Sequence, residues 1–359
     1  MSNVLVFSDI HVAPHKKSID RLHDCLKALN WVFDVADGMK VKHIVFGGDL
    51  FQDRQHIDVM TYHLTFQLIK DRVTRDNINF WALLGNHDLW YYDKWDISSV
   101  SPFSAIRGFT VIDKPTATKV NGVEVDFLPY TINPLGHLDE LRSVASNRKG
   151  RKILFGHLAV HNAKLSIIHN TRSDVIIEHD NEMVFVDADA FHGWDNVFLG
   201  HYHGAQKVSE SVEYIGSPLQ LTFNEAFQVK HAILLNLKTG QKEYIVNDFS
   251  PQHLVIPEEE ISNFELKGNF VRVTVKSSST VDQFDLKKLI ETENPSTVEI
   301  IPEDDEAPEH LVEDAKAILQ EQDKMLDVYV SKCDIGNLDH PYLIEWGTRI
   351  CKEATEQLC

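Results

Sequence analysis

The sequence predicts a layered α/β fold, and three observations carry that prediction. Short, wholly apolar runs recur through the N-terminal part, the pattern of strands buried on both faces. Between the first of them lie segments with apolar residues spaced by three and four, as on amphipathic helices. Strands and helices that alternate in this way pack in layers around a largely parallel sheet.

Val4-Leu5-Val6-Phe7 is the first buried strand; beyond it, alternation places Asp9 and His11 on one side. Ile19, Leu22, Leu26, Leu29, Phe33 and Ala36 then mark one face of a helix. His43-Ile44-Val45-Phe46 is the second strand, closed by Gly47-Gly48-Asp49. Residues 58–75 read as a helix and 80–84 as a third strand, which stops at Gly85-Asn86-His87-Asp88. Residues 118–128 read as a hairpin turning at Asn121-Gly122. Lys152-Ile153-Leu154-Phe155 ends at Gly156-His157, and Val197-Phe198-Leu199 ends at Gly200-His201-Tyr202-His203. Later strands, around 212–215, 230–237 and 242–246, pattern as antiparallel, with a turn at Lys238-Thr239-Gly240.

Composition shifts near Pro251, so residues 1–250 are expected to form one domain. Strands at 269–276 and 297–301 around a helix at 282–291 make residues 251–302 a small α/β module. Residues 303–359 read as an acidic linker and C-terminal helices; Leu311, Ala315, Ile318, Met325 and Tyr329 trace one face, and Leu343, Trp346 and Ile350 a second.

No apolar run reaches the ~18 residues of a membrane span, and the N-terminus reads as a strand, not a signal peptide. A cytoplasmic protein without membrane association is expected. Cys25, Cys333, Cys351 and Cys359 are scattered, which indicates neither a disulfide framework nor a thiolate metal site. The net charge of −19 is uneven: residues 251–359 hold 24 Asp+Glu against 10 Lys+Arg, leaving 30 against 25 in residues 1–250. An acidic chain argues against nucleic acid, because phosphate binding is driven by Lys and Arg. The near-balanced N-terminal part weakens that objection, as would bound divalent cations.

Five strands therefore end in polar tips: Asp9 with His11, Asp49, Asn86-His87-Asp88, His157, and His201 with His203. One Gly-His at a strand end is usually a turn histidine. Five such tips, each where an α/β sheet gathers its ligands, point to a site. Asp, Asn and His without Cys suit borderline-hard divalent ions such as Mn²⁺, Fe²⁺ or Zn²⁺. The supply is too large for one ion and right for two. Two ions close together share a bridging carboxylate and clamp the oxygens of a phosphoryl group, so phosphate-ester hydrolysis is the reaction class that follows.

In order and spacing, Asp9-x-His11, Gly48-Asp49, Gly85-Asn86-His87-Asp88, Gly156-His157 and Gly200-His201-x-His203 resemble the calcineurin-like metallophosphoesterases. The resemblance implies a β-sandwich flanked by helices. It also implies that Asp9, His11 and His203 hold one metal, that Asn86, His157 and His201 hold the other, and that Asp49 bridges. His87 would contact the scissile phosphate and assist the leaving group, with Asp88 orienting it. The stretch Tyr214-Ile215-Gly216-Ser217-Pro218-Leu219-Gln220 resembles the corresponding segment of SbcD-type DNA-repair nucleases, and Asp113-Lys114-Pro115-Thr116 is similar to the version in T4-like phages. For such a protein the resemblance implies a manganese-supported duplex exonuclease and single-strand endonuclease, with Mg²⁺, Fe²⁺ or Zn²⁺ as alternatives. It further implies DNA as substrate in recombination, repair and replication, a capping role for 251–302, and an SbcC-type SMC-like ATPase as partner of the C-terminal helices. Homodimerisation is expected through helices near 58–75 and 96–107, and the host cytoplasm is the location if the chain is phage-encoded. The alternative is a phosphodiesterase or phosphatase acting on small nucleotides or phosphoproteins.

Two positions depart from relatives. Some SbcD-type nucleases carry a phosphate-contacting His where this chain has Gln52. The Asp-Arg pair of the protein phosphatases falls one position late, at Asp53-Arg54. Gln52 and Arg54 are candidate phosphate or DNA contacts, and a surface salt bridge is the alternative for Arg54. Trp90-Tyr91-Tyr92 could stack on an unpaired base or pack under the site's rim.

Overall fold

A computed structural model describes residues 2–161, 163, 184–276, 279 and 283–302. The C-terminal helices expected in 303–359 lie outside the described residues.

The chain opens with β1 (Asn3–Phe7), α1 (Ile19–Gly38), β2 (His43–Phe46), α2 (Val59–Arg75), β3 (Asn79–Leu83) and β4 (Phe109–Ile112). Side chains start both helices: Ser18 Oγ accepts from Arg21 N, and Asp58 Oδ1 accepts from Thr61 N at 2.8 Å. Next come β5 (Thr116–Val120), β6 (Val123–Leu128), α3 (Pro134–Ala145) and β7 (Ile153–His157). The β5–β6 turn has positive φ at both Asn121 and Gly122, the requirement of a tight hairpin that these residue types meet. Strands β8 (Ala159–Val160), β9 (Phe185–Val186), β10 (Asn196–Gly200), β11 (Gln206–Lys207), β12 (Val212–Tyr214), β13 (His231–Asn236) and β14 (Lys242–Val246) follow. The described chain closes with β15 (His253–Pro257), β16 (Phe270–Val275), α4 (Gln283–Glu291) and β17 (Thr297–Pro302).

The strands build two six-stranded sheets, in the orders β14-β13-β1-β2-β3-β4 and β11-β12-β10-β7-β6-β5. Strands β1 to β4 are mutually parallel, as are β6, β7, β10 and β12. The 212–215 segment therefore departs from its expected antiparallel pattern: β12 runs parallel to β10 and antiparallel only to the edge strand β11. Alternation along each strand explains the layering. Val4, Val6, Val45, Phe127, Phe155, Phe198 and Ile233 meet between the sheets. Leu5, Phe7, Phe46 and Phe80 face α1 and α2 through Leu22, Leu29, Phe33 and Val73. On the far side, Leu128, Leu154 and Leu199 pack with Leu138 and Leu141 of α3. This is a sandwich of two sheets with helices outside, and burying each large apolar side chain contributes about 1.5–3 kcal/mol.

A third sheet, β15-β16-β17, has α4 between its last two strands in the chain, and apart from Val275 and Pro302 it clusters in the same compact unit as the two large sheets. Its first strand is not marked by apolar alternation alone, since it ends in Pro257. The helix expected near 96–107 is only a 3-10 turn over Ser101–Ala105, with Pro102 at its start. Cys25 is buried in the α1 interface, and burial pushes its thiol pKa up to about 11, the state of an inert core residue. No helix among the described residues is long and apolar enough to cross a membrane.

Candidate metal centre

The five polar tips belong to two sheets, not one. β1, β2 and β3 deliver Asp9, His11, Asp49 and Asn86-His87-Asp88 from the first sheet; β7 and β10 deliver His157, His201 and His203 from the second. The tips converge across the top of the sandwich. Asp9 N donates to Gly48 O at 2.9 Å, and His201 N donates to Asp9 Oδ1 at 2.9 Å.

This convergence explains the glycines. A Cβ on Gly85 would collide with the Asp49 carboxylate, although its φ of −90° suits any residue. Gly48 has a φ of +104°, and its Cβ would sit 2.6 Å from His157 Nδ1. Strain is concentrated here too: Asp9, His11, Asp49 and His201 have φ of 52°, 46°, 61° and 101°. Each such residue costs on the order of 1–3 kcal/mol, and clusters of them mark functional sites.

Potential ligand atoms gather in three overlapping groups: Asp9, His11 and His203; Asp49, His157 and His201; and His11, Asp49 and His87. Asp49 Oδ2 lies between the first two sets, 3.6 Å from His11 Nε2 and 3.3 Å from His157 Nε2. Asn86 Oδ1 faces His157 Nε2 at 3.1 Å and His201 Nδ1 at 3.0 Å. His203 Nε2 faces His11 Nε2 at 3.0 Å. Asp9 Oδ2, on a carboxylate of the first group, is buried without any hydrogen-bond partner. A carboxylate oxygen left unpaired this deep is costly unless a cation completes it, and the Asp, Asn and His atoms gathered on either side of Asp49 fit a dinuclear metal centre.

The electrostatics of the metal-free site divide the candidate ligands. Burial opposes charge on Asp49, and His157 and then His87 outweigh it, holding its pKa well below the usual carboxylate range. Burial and His203 hold His11 neutral, and burial with His157 pushes His201 down to about 3; both are then unprotonated, as ligands must be. Burial also acts against a charge on His157, but Asp49 raises its pKa to about 9.

Backbone carbonyls orient two rings. His157 Nδ1 lies 2.8 Å from Gly47 O, which turns Nε2 into the site. His87 Nδ1 lies 2.6 Å from Gln52 O, and the His87 backbone N–H donates to Asp49 Oδ1 at 2.9 Å.

The Asp88 side chain, expected to orient His87, meets backbone amides and not the His87 ring. Its carboxylate is buried and accepts from Asp49 N at 2.8 Å, Leu50 N at 2.9 Å and Gly85 N at 2.9 Å. Burial and then Asp49 push its pKa up to about 7, against these three donors. It ties the β2 and β3 tips together. Gln52 contributes its carbonyl to His87, a contact that its side-chain type does not foretell. Arg54 forms no ion pair among the described residues; its guanidinium carbon lies 3.4 Å from the centroid of the Tyr92 ring, and Nη1 is buried without a partner. Tyr92 itself is a packed ring, with Tyr130 at 6.3 Å, while Trp90 and Tyr91 are exposed.

Two residues were not singled out by the sequence. Glu225 Oε1 lies 3.1 Å from His203 Nδ1, and Lys230 Nζ lies 2.6 Å from Glu225 Oε2. No spacing motif announces either.

A family model described as calcineurin-like phosphoesterase matches residues 2–208, and the chain belongs to this family of hydrolases. Among curated proteins the chain is similar to exonuclease subunit 1 of Enterobacteria phage T4, at 20% identity over 321 residues, covering 86% of each chain. Among solved structures it is similar to a dimetal phosphatase from Danio rerio (10% identity, TM-score 0.41, covering 68% of this chain and 98% of that one). It is also similar to the calcineurin-like phosphoesterase YfkN from Bacillus subtilis (11% identity, TM-score 0.35, covering 67% and 87%).

Proposed function

We propose that this chain is a two-metal DNA nuclease, the nuclease subunit of an SbcC–SbcD-type complex that processes DNA ends in recombination, repair and replication. The observation that carries the two-metal reading is the position of Asp49 Oδ2 between His11 and His157. The choice of DNA is supported by similarity to a phage exonuclease subunit along most of both chains.

In this reading Asp9, His11 and His203 hold one divalent ion, Asn86, His157 and His201 hold the other, and Asp49 serves both. Manganese is the expected metal. Bound there, the ions supply Lewis-acid neutralisation of charge on the phosphoryl oxygens. The protein's own groups do the rest. His87 Nδ1–H is donated to Gln52 O, so when the ring takes a second proton it sits on Nε2, from which it would pass to the 3′-oxygen as water displaces that oxygen from phosphorus. Asp88 keeps Asp49 and Gly85 in register so that His87 stands over the phosphate. Arg54, planar and braced on Tyr92, contacts a backbone phosphate.

Residues 251–302 would act as a cap that guides the polymer, and residues 303–359 would dock on the SMC-like ATPase, within a homodimer in the host cytoplasm. The test is cleavage of linear and circular duplexes and of single strands in manganese, with and without the ATPase. Duplex degradation from ends and single-strand cutting support the reading. Turnover of cyclic nucleotides or phosphopeptides, with DNA left intact, replaces it with the phosphatase alternative.

A further inference from the structure

We propose that Glu225, backed by Lys230, is a positioning residue that fixes the His203 imidazole for metal binding. The proposal rests on the reading of His203 as a ligand.

Glu225 ends the 3-10 turn Phe223–Glu225 and is buried. One carboxylate oxygen, Oε1, meets His203 Nδ1 at 3.1 Å. The other, Oε2, meets Lys230 Nζ at 2.6 Å and accepts from Ser217 Oγ at 3.1 Å and Leu221 N at 3.3 Å. Lys230 is buried as well; its Nζ donates to His203 O at 2.9 Å, Ser217 Oγ at 2.9 Å and Gln228 Oε1 at 3.1 Å. The network thus grips His203 twice, at the ring through Glu225 and at the carbonyl through Lys230.

The ring contact has a chemical consequence. With Nδ1–H directed at a carboxylate, the lone pair stays on Nε2, which faces His11 in the group that includes Asp9. His157 is oriented by the neutral carbonyl of Gly47. His203 instead has a charged partner, which makes its Nε2 the more basic donor. A buried ion pair adds little net stability by itself, so the location of this one, directly behind a candidate ligand, calls for another role.

The test is calorimetric titration of the metal-free full chain with Mn²⁺, with circular dichroism melts in chelator as the folding control. Wild type is expected to bind two Mn²⁺. Glu225→Ala should weaken one of the two by about 10–100-fold and leave the other unchanged. Glu225→Gln, which keeps an oxygen for Nδ1–H but loses the charge, should fall between, and it carries the test if the alanine variant does not fold. In a His203→Ala background the Glu225 substitution should cost no further affinity. A folded Glu225 variant with both sites at wild-type affinity overturns the proposal, as does an equal loss with and without His203. If wild type binds no Mn²⁺, or His203→Ala binds both ions normally, the ligand reading itself fails and the proposal falls with it.

Discussion

His87 and Gln52 are joined by a hydrogen bond of 2.6 Å between an imidazole Nδ1 and a backbone carbonyl. The contact fixes the tautomer of His87 without using any side chain of the metal groups. His87→Ala should therefore retain both metals and lose catalysis, with kcat down by about 10²–10⁴-fold. Steady-state cleavage alongside Mn²⁺ titration checks this, and undiminished cleavage removes His87 from the chemistry.

Asp88 predicts a different phenotype. Asp88→Asn turns an acceptor into an NH₂ group that must face a backbone N–H. One unsatisfied donor in this buried knot costs about 1–3 kcal/mol. A thermal melt in chelator should show the loss before any metal is added.

Gly85→Ala isolates the packing of the tips. Its backbone angles suit alanine, but the new methyl meets the Asp49 carboxylate. Overpacking of this kind costs about 1–3 kcal/mol, and displacement of Asp49 should weaken both metal sites together. Mn²⁺ titration of the purified variant reads both effects.

Arg54 should act on substrate binding. Arg54→Ala is expected to raise KM with kcat little changed, and to reduce the salt slope of DNA binding by about 1. Arg54→Lys should not restore it, because an ammonium cannot reproduce the planar stack on Tyr92. Binding curves at several salt concentrations decide the matter.

Metal removal links the site to stability. If one cation completes the orphaned Asp9 oxygen and a second is held by Asn86, His157 and His201, free Mn²⁺ at a hundred times its Kd should stabilise the chain by about 2.7 kcal/mol per independent site. A melting temperature indifferent to Mn²⁺ counts against the centre.

Much of this was legible in the sequence because buried strands and their glycine-bounded tips are local features. Val4 to Phe7 followed by Asp9 and His11 needs no tertiary information to be read as a strand and a tip. That the tips come from two sheets was not legible from periodicity, since β3 and β7 look alike until their partners are known. The carbonyls of Gly47 and Gln52 were invisible for a simpler reason: a backbone oxygen carries no residue identity. Glu225 and Lys230 lie 22 and 27 residues from His203 and reach it only through the fold. Asp88 shows the opposite case, a residue marked by its motif whose partners turned out to be backbone amides.

Whether this chain is a two-metal DNA nuclease is decided by setting substrates against each other in manganese: linear duplex DNA, a phosphoserine peptide and a cyclic nucleotide, each with wild type and Asp49→Asn. Wild type should degrade the DNA, chelator or Asp49→Asn should abolish this, and the two small substrates should be poor. Efficient turnover of either small substrate with intact DNA, or DNA degradation that survives Asp49→Asn, would contradict the nuclease reading.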